Sequence, residues 1–486
     1  MNPTLIWLSI LIWIPIAIII AFAAKRGMGE GLVEYFIGGR RMGGFISGMT
    51  YSATTYSAFM LVGLVGLTYQ TGVAALGFEM TYLMFTVALL TVFGPRFWVA
   101  GKKYDYITPP ELLAHRYDTP WAGTISGIIS LVMLIPYGAV QLMGIGFLVN
   151  GLSDGQIPYM AGVILMGAFS GFSAIWAGMR SVSWTDAFQA ITMITTSIVA
   201  LFVIFFQFFG GPISFFNTIT AEQPQLLKVS WNPSLFIGLA LPWAFFALTN
   251  PQVSQRMFIP DKLSNLRRMI IYFSIFGFIY TLISTLFGFQ AAGIIPDLQN
   301  PDKAMAVLLT KITPPLALIL FIGIFAAATS TLGSIILTLS SVVSRDVLTK
   351  FSSDISEKTE LWAGKITIVA LVLACITFAW LQPGLIAVLS SMASGGLLVM
   401  APALIGAFFW KEGTGPAAVI SMAVGGTLTG IMYVSNYYPL GWWPSVWGFG
   451  ITSFLYVMVS LLTERPENTE KFFADVNEEL EKYNVK

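Results

Sequence analysis

Long apolar stretches constrain this chain more than any other feature. The sequence contains thirteen of them, each with the roughly 20 mostly apolar residues that a helix needs to cross a membrane. Only 10% of the 486 residues are charged, whereas soluble proteins carry roughly 25%. We therefore predict an all-α polytopic membrane protein embedded in a lipid bilayer. The predicted spans are 3–24, 45–69, 74–98, 121–150, 157–179, 185–210, 234–257, 268–295, 315–345, 362–382, 384–409, 415–437 and 444–464.

The distribution of basic residues predicts the orientation. The first stretch resembles a signal peptide at Ala21-Phe22-Ala23, but no basic residue precedes it and Lys25 and Arg26 follow it, so we expect a retained helix. With the N-terminus outside, 22 of the 25 Lys and Arg lie on the cytoplasmic side and only Lys228, Lys303 and Lys311 lie outside. The prediction is a multi-pass protein of the plasma (cytoplasmic) membrane with a cytoplasmic C-terminus.

The remaining composition excludes several functional classes. One cysteine, Cys375, and one histidine, His115, leave no material for a disulfide, a Cys or His metal site or a His-based triad. The loops are too short for a soluble catalytic domain, so we expect no enzyme, no nucleic-acid binding and no obligate protein partner. The tail, 465–486, has two interpretations: an amphipathic helix on the cytosolic face, or a solvated and partly frayed terminus.

Apart from Glu464, the last residue of the thirteenth, two acidic residues fall inside the predicted spans, where ionisable groups are costly and often functional. Glu79 lies in the middle of the third span. Asp186 lies at the predicted start of the sixth, where the alternative is an interfacial capping residue, a role that Ser183 or Thr185 would share.

Two spans carry polar residues where apolar ones are expected. The ninth has a stripe on one helix face, and such hydroxyls either serve a site or bond to their own helix and its neighbours. The stripe consists of Ala327, Ser330, Thr331, Ser334, Thr338 and Ser341. Residues 52–58 (SATTYSA) in the second span and Asn250-Pro251 in the seventh predict unwound backbone, which the membrane tolerates only beside a cavity.

Two interrupted helices in matching positions of two halves indicate a transporter built as an inverted repeat. Spans 2–6 and 7–11 supply five helices each, so the predicted repeats are about 45–210 and 234–409 within a transmembrane domain of residues 1–464. Carbonyl and hydroxyl oxygens suit a hard cation such as Na⁺ better than a proton, which makes sodium the expected coupling ion.

Several motifs resemble those of the sodium/solute symporter family, whose members include proline, galactose, sialic acid and pantothenate transporters. They occur in the family's order over nearly all of spans one to eleven. The motifs are 34–40 (EYFIGGR), 108–117 (TPPELLAHRY), 178–189 (GMRSVSWTDAFQ), Gln255-Arg256 and 327–332 (AATSTL).

This resemblance implies a LeuT-type 5+5 inverted repeat that works by alternating access. It also implies a sodium site formed by the carbonyls of Ala53, Tyr56 and Ala327 and the hydroxyls of Ser330 and Thr331. In relatives with a second sodium, the ligands map to Asp186, Ser330, Ser334 and the position of Gly333. Since Gly333 has no hydroxyl, the alternative role for Asp186 is a group on the ion path.

The resemblance points to two different classes of solute. Tyr137, Trp243 and Pro251 match the proline transporters, whereas Glu79 and Asn250 match the sugar-binding branch. Both aromatic residues also suit a packed core. The remaining candidates at the cavity are Thr55, Ser57, Phe59 and Gln141.

The predicted function is therefore sodium-coupled uptake of a small organic solute, with an amino acid such as proline as the first expectation. The alternatives on the same fold are a monocarboxylate, a sugar or a vitamin such as pantothenate. The alternative classes are a channel, and an intramembrane enzyme or a membrane sensor that does not transport. The sequence shows no continuous polar pore and no repeated filter motif that would favour a channel.

Overall fold

Helices dominate the structure. The computed structural model describes residues 1–26, 29–295, 297–348 and 356–484. Within these ranges the chain is 85% helix and has no strand. The helices that concern us are α1 (Pro3–Lys25), α2 (Gly44–Thr55), α3 (Phe59–Thr71), α4 (Val73–Tyr104), α5 (Pro109–Arg116), α6 (Pro120–Leu152), α7 (Tyr159–Trp176), α8 (Gly178–Phe209), α9 (Pro233–Ala244), α10 (Phe246–Thr249), α11 (Pro251–Ser254), α12 (Leu263–Ile294), α13 (Ala304–Lys311), α14 (Pro314–Val342), α15 (Glu357–Leu381), α16 (Ile386–Phe409), α17 (Gly415–Val434), α18 (Pro444–Leu462) and α19 (Thr469–Lys482).

Most of the predicted spans are continuous helices. Among the described residues, eleven helices are long and apolar enough to cross a membrane. Two further apolar segments are broken, one into α2 and α3 and the other into α9, α10 and α11. If each broken segment crosses the membrane once, the total is the predicted thirteen crossings.

The boundary between the fifth and sixth spans corrects the sequence prediction. No loop separates α7 from α8: the chain turns at Gly178, whose φ of 60° favours a residue without a side chain. Asp186 is therefore about two turns inside α8 and is 1% exposed. The alternative interpretation of Asp186 as an interfacial cap at a helix start is wrong.

The described ends of the chain lie on opposite faces of the helix bundle. The amino group of Met1 donates to the Leu152 carbonyl at the end of α6, whereas α19 packs beside the beginning of that helix, near α5. We call the face with α5 and α19 the tail face and the face with α13 the far face. An odd number of crossings predicts this arrangement, while the assignment of either face to the cytoplasm stays a prediction.

The tail forms a docked helix rather than a frayed terminus. The apolar side of the amphipathic helix α19 is buried, and it consists of Phe472, Phe473, Val476 and Leu480. Arg116 of α5 donates to the Thr469 hydroxyl at 3.2 Å and also to the carbonyls of Ala407 and Trp410. These bonds fix α19 to α5 and to the end of α16.

Helices α14 and α16 form the centre of the bundle. Both are enclosed along most of their length, whereas α1 and α15 leave most of their apolar side chains exposed, as expected for surfaces that face lipid. Helix α14 packs against α8, α6 and the end of α2. Its hydroxyl stripe therefore faces the first helix break.

Candidate functional site

The first candidate site lies where α2 ends. Tyr56 has extended backbone (φ −93°, ψ 97°), so the helix stops there as the run of small polar residues predicts. The Ser330 hydroxyl of α14 contacts the Ala53 carbonyl at 2.8 Å and the Ala327 carbonyl at 3.0 Å. The Thr331 hydroxyl contacts the Ala53 carbonyl at 3.1 Å. Carbonyl and hydroxyl oxygens thus converge from two helices, a donor set that suits a hard monovalent cation.

A buried ion pair lies one turn further along α14. Arg256 Nη2 is 3.6 Å from Asp186 Oδ2 and donates to the Ser334 hydroxyl at 2.6 Å. Thr50 donates to the same Asp186 oxygen at 2.7 Å, and Thr54 lies 3.0 Å from Ser334. The two residues predicted for a second sodium, Asp186 and Ser334, do come together: the Ser334 hydroxyl donates to Asp186 Oδ2 at 3.4 Å, and the Arg256 guanidinium contacts both oxygens. All these groups are buried. Removing one partner would therefore leave an unpaired charge in the interior and destabilise the fold.

The second break lies at Asn250, which has extended backbone (φ −95°, ψ 104°) before Pro251. Thr249 donates to the Asn250 side-chain oxygen at 3.2 Å. Towards the tail face, Gln255 donates to the Ile107 carbonyl at 2.9 Å and accepts from the Thr338 hydroxyl at 2.6 Å. These bonds close the tail side of the break against α14.

Aromatic rings close the space between the two breaks. Trp243 stacks on Phe59 at 5.3 Å and on Phe246 at 5.2 Å between ring centroids. Tyr82 and Tyr137 meet its edge at 5.3 and 6.1 Å. We call these five residues the aromatic cluster. Each is 2% exposed or less, so the cluster is sealed from both faces.

The far side of the aromatic cluster is held by polar contacts. The Trp243 indole N–H donates to the Ser391 hydroxyl of α16 at 3.0 Å. Nearer the far face, Asp302 accepts a hydrogen bond from the backbone N–H of Ile386, the first residue of α16, at 2.9 Å. The site is therefore closed on the far side by α16 and the segment before α13.

Most of the predicted solute residues gather around this closed space. Phe59, Tyr137 and Trp243 belong to the aromatic cluster. Gln141 accepts a hydrogen bond from the Ala58 backbone N–H at 3.0 Å, and the Ser57 hydroxyl accepts one from the Phe59 N–H at 3.1 Å. Thr55 is the last residue of α2, and Glu79 is buried on α4.

Pro251 lies apart from the other solute candidates. It lines a small cavity on the tail side of the break, together with Pro109, Ser130 and Met400, rather than the aromatic cluster. Its role in this structure is to interrupt the helix, because proline supplies no backbone N–H.

Sequence reasoning missed Tyr82, Phe246 and Ser391. Tyr82 follows Glu79 by three residues and Phe246 follows Trp243 by three, spacings that put neighbours on one helix face. Ser391 belongs to a Ser390-Ser391 pair inside an apolar span, the same kind of signal that identified the stripe in the ninth. The sequence contains each of these signals. None of them shows which neighbouring helix the side chain contacts.

Solved structures with this arrangement are transporters. A sodium-coupled sialic acid symporter in a substrate-bound, outward-open state aligns with a TM-score of 0.79 at 19% identity, over 95% of this chain and 98% of that one. Mhp1, a nucleobase-cation-symport-1 family transporter in a closed conformation, aligns with a TM-score of 0.59 at 11% identity, over 92% of this chain and 98% of that one. The fold is that of a LeuT-type transporter.

Sequence comparison narrows the class to a family. The profile of the sodium:solute symporter family matches residues 35–425, and the chain belongs to that family. It is 26% identical to the sodium/pantothenate symporter of Escherichia coli K12, over 87% of this chain and 89% of that protein. It is also 26% identical to a sodium/proline symporter of Staphylococcus aureus, over 95% of this chain and 93% of that protein. The protein is a multi-pass, sodium-coupled solute symporter.

Proposed function

We propose that this symporter takes up a small amino acid such as proline together with sodium, by alternating access around the two helix breaks. One observation carries the proposal: the Ser330 and Thr331 hydroxyls of α14 converge on the Ala53 carbonyl where α2 ends. An ion bound there holds α14 and α2 together and so biases the opening of the neighbouring aromatic cluster. Such a bias is the differential affinity for two states that coupling requires.

The sodium site we propose consists of the carbonyls of Ala53, Tyr56 and Ala327 and the hydroxyls of Ser330 and Thr331. It contains no fixed charge, so the ion is held by dipoles and can leave again. A second sodium at Asp186 and Ser334 competes with Arg256, whose guanidinium already contacts both oxygens. We therefore assign one sodium to the closed state, with Asp186 on the ion path.

The proposed orientation places the tail face in the cytoplasm. The described basic residues of the tail face include Arg116, Arg345 and Lys411, whereas the far face has Lys228, Lys303 and Lys311. The positive-inside rule then directs the far face to the outside of the cell. Uptake follows because the membrane potential supplies about 2.3 kcal/mol per 100 mV for each sodium that moves inward.

The solute is best identified by ligand-induced stabilisation. We expect an amino acid of proline's size to raise the unfolding temperature of the purified protein in sodium and much less in potassium, because both ligands bind the folded state. The panel should contain amino acids, monocarboxylates, sugars and pantothenate, each in both salts. A sodium-dependent response confined to pantothenate or to sugars would contradict the choice of an amino acid.

Closure of the far face should depend on external pH through Asp302. Burial raises the pKa of this carboxyl to about 6, although the hydrogen bond from Ile386 opposes the shift. When the face opens and exposes Asp302, its pKa returns towards 4. Between about pH 4 and pH 6, Asp302 therefore takes up a proton when the far face closes. Acidification across this range favours the closed state.

Spin-label distances between Lys311→Cys and Gln382→Cys, in a Cys375→Ala background, report this closure. We expect the closed distance to gain population from pH 7.5 to pH 5. Asp302→Asn keeps the acceptor without the charge and should give the closed distance at both values. A pH response that persists in Asp302→Asn would assign the titration to another group.

A further inference from the structure

A carboxyl group without a partner lies beside the aromatic cluster. Glu79 is 0% exposed on α4, one turn from Tyr82. Glu79 precedes Tyr82 by three residues, which puts both side chains on one face of α4. In the part of the chain that the structure describes, neither carboxyl oxygen of Glu79 has a hydrogen-bond partner.

An ionised carboxylate in such a position is costly until a cation or a set of donors reaches it. Arg116 and Arg256 are the fully buried basic side chains among the described residues, and both are engaged: Arg116 with the carbonyls of Ala407 and Trp410, and Arg256 with Asp186. Glu79 can stay unpaired only while it is protonated, and a partner for its ionised form would arrive with a ligand.

The surroundings of Glu79 favour a positively charged group. Trp243 of the aromatic cluster stacks between Phe59 and Phe246, and Tyr82 and Tyr137 lie at its edge. The faces of these rings carry partial negative charge and attract ammonium groups, most strongly in a site without water. A carboxylate next to an aromatic cluster is a combination that suits an organic cation.

We infer that the transported solute carries a positively charged nitrogen, and that Glu79 pairs with it beside the aromatic cluster. This inference rests on the proposed function and gives its substrate class a physical reason, because an amino acid carries the ammonium group that Glu79 pairs with. It excludes solutes whose only charge is negative, such as monocarboxylates and pantothenate, because like charges repel strongly in a medium of low dielectric constant. Neutral sugars lack the charge that Glu79 requires.

Matched pairs of ligands test the charge requirement. Binding to purified protein in sodium should be measured for L-proline and L-alanine, their N-acetyl derivatives, glycine betaine, choline, propionate, pantothenate and galactose. We expect binding by compounds with a cationic nitrogen, and at least about 30-fold weaker binding after N-acetylation, which removes that charge. Binding of the N-acetyl derivatives as tightly as the parent amino acids would overturn the inference, as would a panel without any ammonium response.

Glu79→Gln tests the residue with almost no change in shape. The variant should bind the same ammonium solute at least about 30-fold more weakly, while its sodium binding and its unfolding temperature without solute stay normal. Glu412→Gln, the same change at an exposed position, should leave affinity unchanged. Equal affinity in wild type and Glu79→Gln would remove Glu79 from recognition.

The two proposals fail in distinguishable ways. If sodium-dependent binding occurs but the preferred ligand is anionic or neutral, symport stands and the charge requirement is wrong. If an ammonium solute binds through Glu79 equally well in sodium and potassium, the charge requirement stands and the proposed coupling site is wrong.

Discussion

Replacing both Ser330 and Thr331 by alanine should abolish sodium binding and reduce sodium-driven uptake to the level seen without sodium. The two hydroxyls are the ligands that we propose from α14, and each hydrogen-bond-like contact to a charged group contributes about 1.5 to 3 kcal/mol. Losing both weakens sodium binding more than about 100-fold. Binding of ²²Na⁺ to the purified double variant measures the effect directly, before any solute is known.

Two variants separate ligation from packing. Thr331→Ser keeps the hydroxyl and should retain sodium binding. Ser340→Ala removes a buried hydroxyl of the same helix that donates to its own Leu337 carbonyl at 2.7 Å, so it should bind sodium normally. Wild-type sodium affinity in the Ser330→Ala/Thr331→Ala protein would contradict the proposed site.

The second large effect concerns stability. Asp186→Ala leaves the Arg256 guanidinium buried without its counter-charge, and breaking a buried pair from one side costs about 3 to 5 kcal/mol. We expect the variant to unfold at a much lower temperature or to fail to accumulate in the membrane. Removing both charges, as Asp186→Asn with Arg256→Gln, should restore most of the stability because no ion is then left unpaired.

An exposed pair provides the control for this prediction. Glu470 and Lys411 are 2.7 Å apart on the surface of the tail face, where ion pairs contribute little. Glu470→Gln should therefore leave the unfolding temperature unchanged. If the Asp186→Asn/Arg256→Gln protein were no more stable than Asp186→Ala, the two residues would not act as a pair.

The features that sequence reasoning predicted are those set by local chemistry. The break after Thr55 follows from hydroxyl residues that bond to their own helix, as Ser52 does to the Gly48 carbonyl at 2.8 Å. The break at Asn250 follows from the proline after it. The hydroxyl face of α14 follows from a spacing of three and four residues. The resemblance to a family then supplied the expectation that α14 faces α2.

The features that sequence reasoning missed depend on which helices pack against each other. Arg256 and Asp186 are 70 positions apart, so their pairing is visible only once α8 and the end of α11 are packed together. The predicted spans 157–179 and 185–210 left residues 180–184 as a loop before Asp186. In the structure Arg180 and Ser181 instead donate to the carbonyls of Ala24 and Ala21 at the end of α1, and Gly178 makes the turn alone.

Currents from reconstituted wild-type protein test the central claim of sodium-coupled symport most directly. A concentration jump should deliver the panel solute that gives the largest sodium-dependent stabilisation to proteoliposomes on a solid-supported membrane. We predict an inward movement of positive charge that requires sodium and the solute together and is absent when potassium replaces sodium. A current of equal size in potassium, or one driven by a proton gradient alone, would contradict sodium-coupled symport by this protein.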